Sequence, residues 1–170
     1  MRSLVKKPPV TLDTGNGLFR NDHFQVAYAT NDIDRACAVF RDRYGIREYR
    51  RLEGQLPEGG KIRIELAWVG GTMYELLCAS GAGSERFTSV LPHSGFAIRH
   101  HHLGYLIHSQ SAWEALEQEI ERGGWKVASK SDNKGFLKAY IIEAPDMGHY
   151  LEYIYPEVAG IAFFEGVPSS

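Results

Sequence analysis

The sequence has few cysteines and no long apolar run. Its two cysteines, Cys37 and Cys78, lie in segments predicted to be buried and do not suggest a disulfide scaffold. No apolar run approaches the roughly 18 to 20 residues of a membrane-spanning helix. The charged residues that follow Met1 lead into no apolar segment of the kind found in secretory signals. The sequence therefore predicts a protein of the reducing cytoplasm with no membrane partner.

The charge balance also lacks a dominant sign. Lysine and arginine number 19 against 21 aspartates and glutamates, for a formal net charge of −2. A nucleic-acid-binding protein needs a clustered basic face, so no nucleic-acid partner is expected. The hydrophobic fraction of 44% is ordinary for a globular protein. A chain of 170 residues is long enough for one domain, or for two small modules that share a core.

Two pairs of short segments repeat at a constant spacing. Residues 25–28 read Gln-Val-Ala-Tyr and residues 102–105 read His-Leu-Gly-Tyr. Residues 71–77 read Gly-Thr-Met-Tyr-Glu-Leu-Leu and residues 148–154 read Gly-His-Tyr-Leu-Glu-Tyr-Ile, with a glycine and a glutamate at matching places. The differences 102 − 25 and 152 − 75 are both 77. A constant offset indicates an internal duplication in which each copy carries two potential metal ligands.

The first copy is predicted over residues 23–80, after an N-terminal arm over 1–22. Apolar residues favour strands at 24–29, 46–53, 61–69 and 72–79. Between the first two strands, apolar residues at helical spacing run from Ile33 to Tyr44, and Gly45 ends the helix. The order of elements in this module is therefore β-α-β-β-β.

The second copy is predicted over residues 102–156 and repeats that order. Strands are expected at 102–108, 125–130, 136–143 and 149–155. The helix between the first two has a capping-box spacing from Ser111 to Glu114 and ends at Gly123. A linker over 81–101 joins the modules. A tail over 157–170 has enough apolar residues to pack against the rest of the domain. The prediction is an α+β fold of two tandem β-α-β-β-β modules.

The paired modules and their ligand positions resemble the vicinal oxygen chelate superfamily over residues 23–156. That superfamily includes glyoxalase I, methylmalonyl-CoA epimerase, extradiol dioxygenases and the bleomycin and fosfomycin resistance proteins. The resemblance implies a cleft-shaped, partly open mixed sheet with a metal at its base, and a homodimer. It leaves open whether one chain supplies the whole site or two chains share it.

The resemblance implies four metal ligands: Gln25, Glu75, His102 and Glu152. This set is similar to that of glyoxalase I, whereas the second module is similar to methylmalonyl-CoA epimerase. The epimerase usually has histidine where this chain has Gln25, and glutamine where it has Glu75. Three oxygens and one imidazole nitrogen favour one divalent metal such as Zn²⁺, Ni²⁺, Co²⁺ or Mn²⁺.

The reaction implied is that of an isomerase, lyase or epimerase acting on a small-molecule carbonyl substrate. A proton is removed next to a metal-bound carbonyl, through an enediolate, with Glu152 and Glu75 as catalytic carboxylates. Which of the two is the base is left open. Glu48 and Glu53 lie in the segment where the epimerase has an added base, so they are further candidates for the catalytic base.

Three functions compete. Glyoxalase I has an arginine four residues past its first ligand, and this chain has Ala29 there, so the substrate is expected not to be glutathione-linked. An extradiol-type ring-cleaving dioxygenase needs two histidines and one carboxylate, which would require His23 to replace Gln25. A non-catalytic binding or resistance protein is the third possibility, although such proteins usually lack the metal residues.

The alternation of side chains along a strand predicts which residues face the metal. In the run at 100–102, only His102, or His100 with it, is expected to face inward. His23 shares the expected face of Gln25, whereas Tyr28 and Tyr105 face the helices. The linker and the tail are predicted to cover the cleft, with four aromatic residues toward the substrate: Phe87, Phe96, Phe163 and Phe164.

Overall fold

The structure, a computed structural model, describes residue 5, residues 8 and 9, and residues 11–170. Part of the predicted arm over 1–22 therefore lies outside the described residues. The strands are β1 (Asp22–Thr30), β2 (Arg50–Gln55), β3 (Lys61–Val69), β4 (Thr72–Ser80), β5 (Ile98–Leu106), β6 (Val127–Asn133), β7 (Leu137–Ala144) and β8 (His149–Pro156). The α-helices are α1 (Ile33–Tyr44), α2 (Glu85–Thr88), α3 (Gln110–Gly123) and α4 (Val158–Glu165).

The strands form one mixed sheet in the order β2-β3-β4-β1-β5-β8-β7-β6. Strands β1 and β5 are antiparallel at its centre, and each pairs in parallel with the last strand of its own module, β4 or β8. Ala27 pairs with Glu75, and Gly104 pairs with Glu152. Both pairs are related by the same 77-residue offset, 104 − 27 and 152 − 75. The duplication read from the sequence is therefore also a duplication of strand register, and the predicted α+β fold is confirmed.

Helices α1 and α3 begin at side-chain caps and end at glycines in the left-handed conformation. Asp32 accepts a hydrogen bond from the Arg35 N–H at the start of α1, and Gly45 ends the helix with φ of 81°. At α3 the cap is Ser109, which accepts from the Ala112 N–H. The predicted capping box beginning at Ser111 is therefore wrong, because an extended residue two positions earlier already satisfies the first free N–H groups.

Two strands begin four residues away from their predicted starts at 46 and 102. Strand β2 begins at Arg50, because Ile46 packs against Phe40 in the core beneath α1 instead of extending the strand. Strand β5 begins at Ile98, inside the segment predicted as linker. The rest of that segment carries α2, and the tail forms α4, whose neighbour Val167 is buried.

The two faces of the curved sheet have different roles. On the outer face, Tyr28 packs against Phe40 of α1, and Tyr105 belongs to the same buried cluster as Trp113 of α3. The predicted core positions of Tyr28 and Tyr105 are confirmed. The inner face carries the cleft described below. Among the described residues no helix is both long and apolar enough to cross a bilayer.

Candidate metal centre

The four side chains predicted as ligands converge on the inner face of the sheet. They come from the four central strands: Gln25 from β1, Glu75 from β4, His102 from β5 and Glu152 from β8. The Gln25 amide donates to Glu75 Oε2 over 2.8 Å, and its Oε1 lies 3.2 Å from His102 Nε2. His102 Nε2 also lies 3.1 Å from Glu152 Oε2. All four belong to one chain.

Burial and mutual charge shift the pKa values within this cluster. Burial raises the pKa of Glu75 to about 7, and the Glu152 carboxylate adds to that rise, while His102 and the Gln25 amide oppose it. Burial lowers the pKa of His102, but Glu152 and Glu75 outweigh burial, so its pKa lies above the usual histidine value. Both groups therefore hold protons more tightly than they would in water.

The donor set fits a divalent cation. One possible ligand atom from each of Glu75, His102 and Glu152 lies within 4.8 Å of the other two. Among the described residues, no other set of three or more His, Cys, Asp or Glu side chains converges in this way. The oxygen of Gln25 points at the same imidazole nitrogen. Two carboxylates, an amide oxygen and one imidazole supply the mixed oxygen and nitrogen ligands that such ions accept.

Gly104 provides the space in which Gln25 lies. The two residues are cross-strand partners on β1 and β5. A Cβ atom at position 104 would lie 2.5 Å from Gln25 Oε1 and 2.8 Å from its Cβ, closer than real contacts allow. A side chain at 104 would therefore displace the amide from the cluster.

Two register shifts between β1 and β5 change the facing of three histidines. The ladder pairs Ala27 with His102 and then Tyr28 with His100, so His101 is the extra residue of β5. As a result His101 lies on the inner side, where it is 0% exposed, and His100 contacts Tyr28 on the outer face. The alternative in which His100 faces inward with His102 is therefore wrong, and so is the expectation that His101 does not face inward, because the extra residue breaks the alternation.

The second shift lies between His23 and Gln25 and turns His23 away from the cluster. The His23 ring packs against Tyr105, with ring centroids 5.3 Å apart, and the residue is exposed. The expectation that His23 shares the face of Gln25 is therefore wrong. The extra residue is Phe24, which packs on the inner side near Phe164.

His101 is a buried neighbour of the site that the sequence did not indicate. Its Nδ1 lies 2.9 Å from His102 Nδ1, and its Nε2 lies 2.8 Å from the carbonyl oxygen of Arg86. Its ring stacks on the rings of Phe87 and Tyr150. Burial, followed by the neighbouring His102, lowers the pKa of His101 to about 4, so the ring is neutral near neutral pH.

The two further candidates for the catalytic base lie outside the cluster. Glu48 precedes β2 and is exposed. Glu53 lies on β2 at the rim of the cleft, and its carboxylate is 3.8 Å from Arg51. Neither belongs to the group of converging donors.

The cluster lies at the floor of a cleft with a volume of about 420 Å³. Its walls are apolar and come from β3 and β7, and one rim carries polar side chains of β6. Phe87 of α2 and Phe164 of α4 line it, as predicted, whereas Phe96 packs against the Arg35 guanidinium instead. The wall and rim residues are Ile62, Ile64, Leu66, Leu137, Ala139 and Ile141, with Ser129, Ser131 and Asn133.

No protein-family model matches the chain, and no curated protein matches it in sequence. Solved structures do share its fold, that of the vicinal oxygen chelate superfamily, to which the methylmalonyl-CoA epimerases among them belong. Methylmalonyl-CoA epimerase from Mycobacterium tuberculosis is similar at 16% identity and a TM-score of 0.60, over 83% of this chain and 91% of that chain.

Two further solved structures are similar to this chain at a comparable level. A variant of Streptomyces coelicolor methylmalonyl-CoA epimerase in complex with 2-nitronate-propionyl-CoA is 15% identical, with a TM-score of 0.55, over 80% of this chain and 97% of that chain. A hypothetical protein from Bacillus halodurans is 16% identical, with a TM-score of 0.55, over 81% and 95% of the two chains. At these identities the likeness establishes the fold, and the chemistry has to be argued from the residues.

Proposed function

We propose that this chain is a divalent-metal-dependent isomerase, lyase or epimerase that moves a proton next to a carbonyl group. The observation that carries the proposal is the convergence of Gln25, Glu75, His102 and Glu152 at the floor of an apolar cleft. We propose these four residues as the ligands of one ion, Zn²⁺, Ni²⁺, Co²⁺ or Mn²⁺. When bound, the ion supplies a Lewis acid that stabilises negative charge on the carbonyl oxygen.

The two carboxylates have different surroundings, and this suggests different roles. The Glu75 carboxylate is buried and accepts the Gln25 amide N–H, which holds it in place. The Glu152 side chain is 15% exposed at the cleft floor. Glu152 is therefore the better placed of the two to remove a substrate proton and leave an enediolate. Glu75, from the opposite module, flanks the same position and is the candidate for returning a proton.

The cleft indicates what kind of substrate fits. Apolar side chains from β3 and β7 cover the walls, and serine hydroxyls and an amide lie along the β6 rim. A carbonyl compound with an apolar acyl group and a polar extension is suited to this arrangement. One of the similar epimerases was solved in complex with methylmalonyl-CoA, so an acyl-CoA thioester is the first compound to test.

The test is hydrogen exchange with solvent. Metal-loaded protein is incubated in D₂O with methylmalonyl-CoA and with a set of 2-oxo and 2-hydroxy carbonyl compounds, and mass spectrometry detects deuterium next to the carbonyl. We expect exchange with at least one compound, lost on chelation and restored by metal. Tight binding of these compounds without exchange would support the non-catalytic binding protein instead.

The ligand geometry disfavours the dioxygenase. Non-haem iron oxygenases use two histidines and one carboxylate. His23 faces away from the cluster, and both ring nitrogens of His101 are already within hydrogen-bond distance of other groups. Oxygen uptake with catechols by the Fe²⁺-loaded protein would overturn this assignment.

A further inference from the structure

The hydrogen bonds of His101 have a fixed direction. His101 is fully buried, and among the described residues no carboxylate lies within hydrogen-bond distance of its ring to balance a positive charge, so the ring is neutral. The carbonyl oxygen of Arg86 can only accept, so the single proton of this ring is on Nε2. His101 Nδ1 then carries a lone pair and acts as an acceptor. The atom 2.9 Å away, His102 Nδ1, must therefore be the donor. The chain of bonds runs from His102 through His101 to the backbone of Arg86.

This direction determines which nitrogen of His102 is available to a metal. A metal binds histidine in its neutral form, and the neutral imidazole of His102 carries one proton, which is here on Nδ1. The lone pair is then on Nε2, the atom that faces Gln25 Oε1 and Glu152 Oε2. Those two oxygens by themselves favour the opposite tautomer, since each would accept an Nε2–H. An acceptor at Nδ1 opposes that preference.

We propose that His101 is a positioning residue that holds His102 in the tautomer able to bind a metal through Nε2. The role rests on the proposed function, because it presupposes that the cluster binds a divalent ion. Histidine ligands generally donate their second N–H to an outer partner that fixes both ring and tautomer. Here the extra residue of β5 supplies that partner from the adjacent position in the chain.

The surroundings of His101 hold its ring rigidly enough for this task. Phe87 and Tyr150 stack on it, with ring centroids 5.5 and 4.9 Å away. The residue is fully buried, so water does not compete for its Nδ1. The Arg86 carbonyl, at the second residue of α2, prevents the ring from presenting a proton at Nδ1 instead.

Two substitutions separate this role from a purely structural one. In His101→Asn, the side-chain oxygen takes the approximate place of Nδ1 and keeps the acceptor toward His102, but the bond to Arg86 is lost. In His101→Gln, the amide nitrogen reaches the place of Nε2 and keeps the bond to Arg86, but the acceptor is lost. His149→Asn, on the outer face beside His100, is the matched control.

The measurements are the dissociation constants of Zn²⁺ and Co²⁺ and, in ¹⁵N-labelled Zn²⁺-loaded protein, the Nδ1–H signal of His102. We expect His101→Gln to bind either ion roughly 10- to 100-fold more weakly than wild type and to lose that signal. His101→Asn and His149→Asn should retain both. Circular dichroism and thermal unfolding check that each variant is folded.

The positioning role of His101 and the proposed function would be contradicted by different results. Equal affinity of the Asn and Gln variants, or weaker binding by Asn, would overturn the positioning role while leaving the metal site intact. An absence of Zn²⁺ and Co²⁺ binding by wild type would overturn the metal site and, with it, the proposed function. Metal binding that follows the predicted order supports the role whether or not any tested compound exchanges its protons.

Discussion

Gly104 is in such close contact with Gln25 that a Cβ atom there would lie 2.5 Å from the amide oxygen. The two residues face each other across the central β1–β5 pair, which joins the modules. The position of the first proposed ligand therefore depends on the absence of a side chain in the other module. This contact ties the two copies to one site.

Gly104→Ala is expected to displace the Gln25 amide and to weaken metal binding roughly 10-fold or more, as the loss of a ligand-orienting contact does. Metal affinity is measured by titration with Co²⁺. Gly71→Ala is the control, because its Cβ would meet nothing within 4 Å. Unchanged affinity in Gly104→Ala would mean that Gln25 is not a ligand.

Glu152→Gln is expected to lower the rate of substrate hydrogen exchange by roughly 10²- to 10⁴-fold, the usual contribution of a general base. The fold should be retained, because glutamine has nearly the same shape. Deuterium incorporation by the metal-loaded variant is the measurement. An exchange rate equal to that of wild type would remove Glu152 from the role of base.

Glu75→Gln is the companion variant, and we expect it to lower metal affinity and the exchange rate less than Glu152→Gln does. Glutamine keeps an amide oxygen close to the place of the carboxylate oxygen, and divalent ions accept amide carbonyl oxygens as ligands. Metal affinity and exchange are measured as for Glu152→Gln. If Glu75→Gln loses exchange and Glu152→Gln keeps it, the two carboxylates have the opposite roles.

The stability of the metal-free protein should fall as the pH rises. The folded-state pKa of Glu75 is about 7 against 4.5 for the free side chain, so the folded state binds the proton more tightly. That stabilisation is fully present below pH 4.5 and is lost as the pH rises through about 7. Urea unfolding between these pH values should show a steeper decline for wild type than for Glu75→Gln. Equal slopes would contradict the shift.

The duplicated pattern predicted the fold because its constant offset reflects the register of the paired strands and not only the types of residue in them. The 77-residue offset between Gln25 and His102 holds for the strand pairs themselves, as it does from Ala27 to Gly104. Alternation along β4 and β8 also gave the correct facing of Glu75 and Glu152. Each of these strands runs without a register shift beside its parallel neighbour.

The wrong predictions of side-chain facing and helix capping occur where a strand contains one extra residue or where two nearby residues could both cap a helix. Phe24 and His101 are extra residues in the β1–β5 pair, and each reverses the facing of the histidine next to it. A bulge is set by pairing with the opposite strand, so a period of two within one strand does not reveal it. Likewise, Ser109 and Ser111 are equally suited as caps, and only the fold of the preceding chain favours Ser109.

The central claim is that Gln25, Glu75, His102 and Glu152 hold a divalent metal. It is tested most directly by plasma mass spectrometry of untagged, extensively dialysed protein, with His102→Ala measured in parallel after circular dichroism has verified its fold. The account predicts close to one divalent ion per chain in wild type and loss of that ion in His102→Ala. Equal metal content in the two proteins, or none in wild type even after reconstitution, would contradict it.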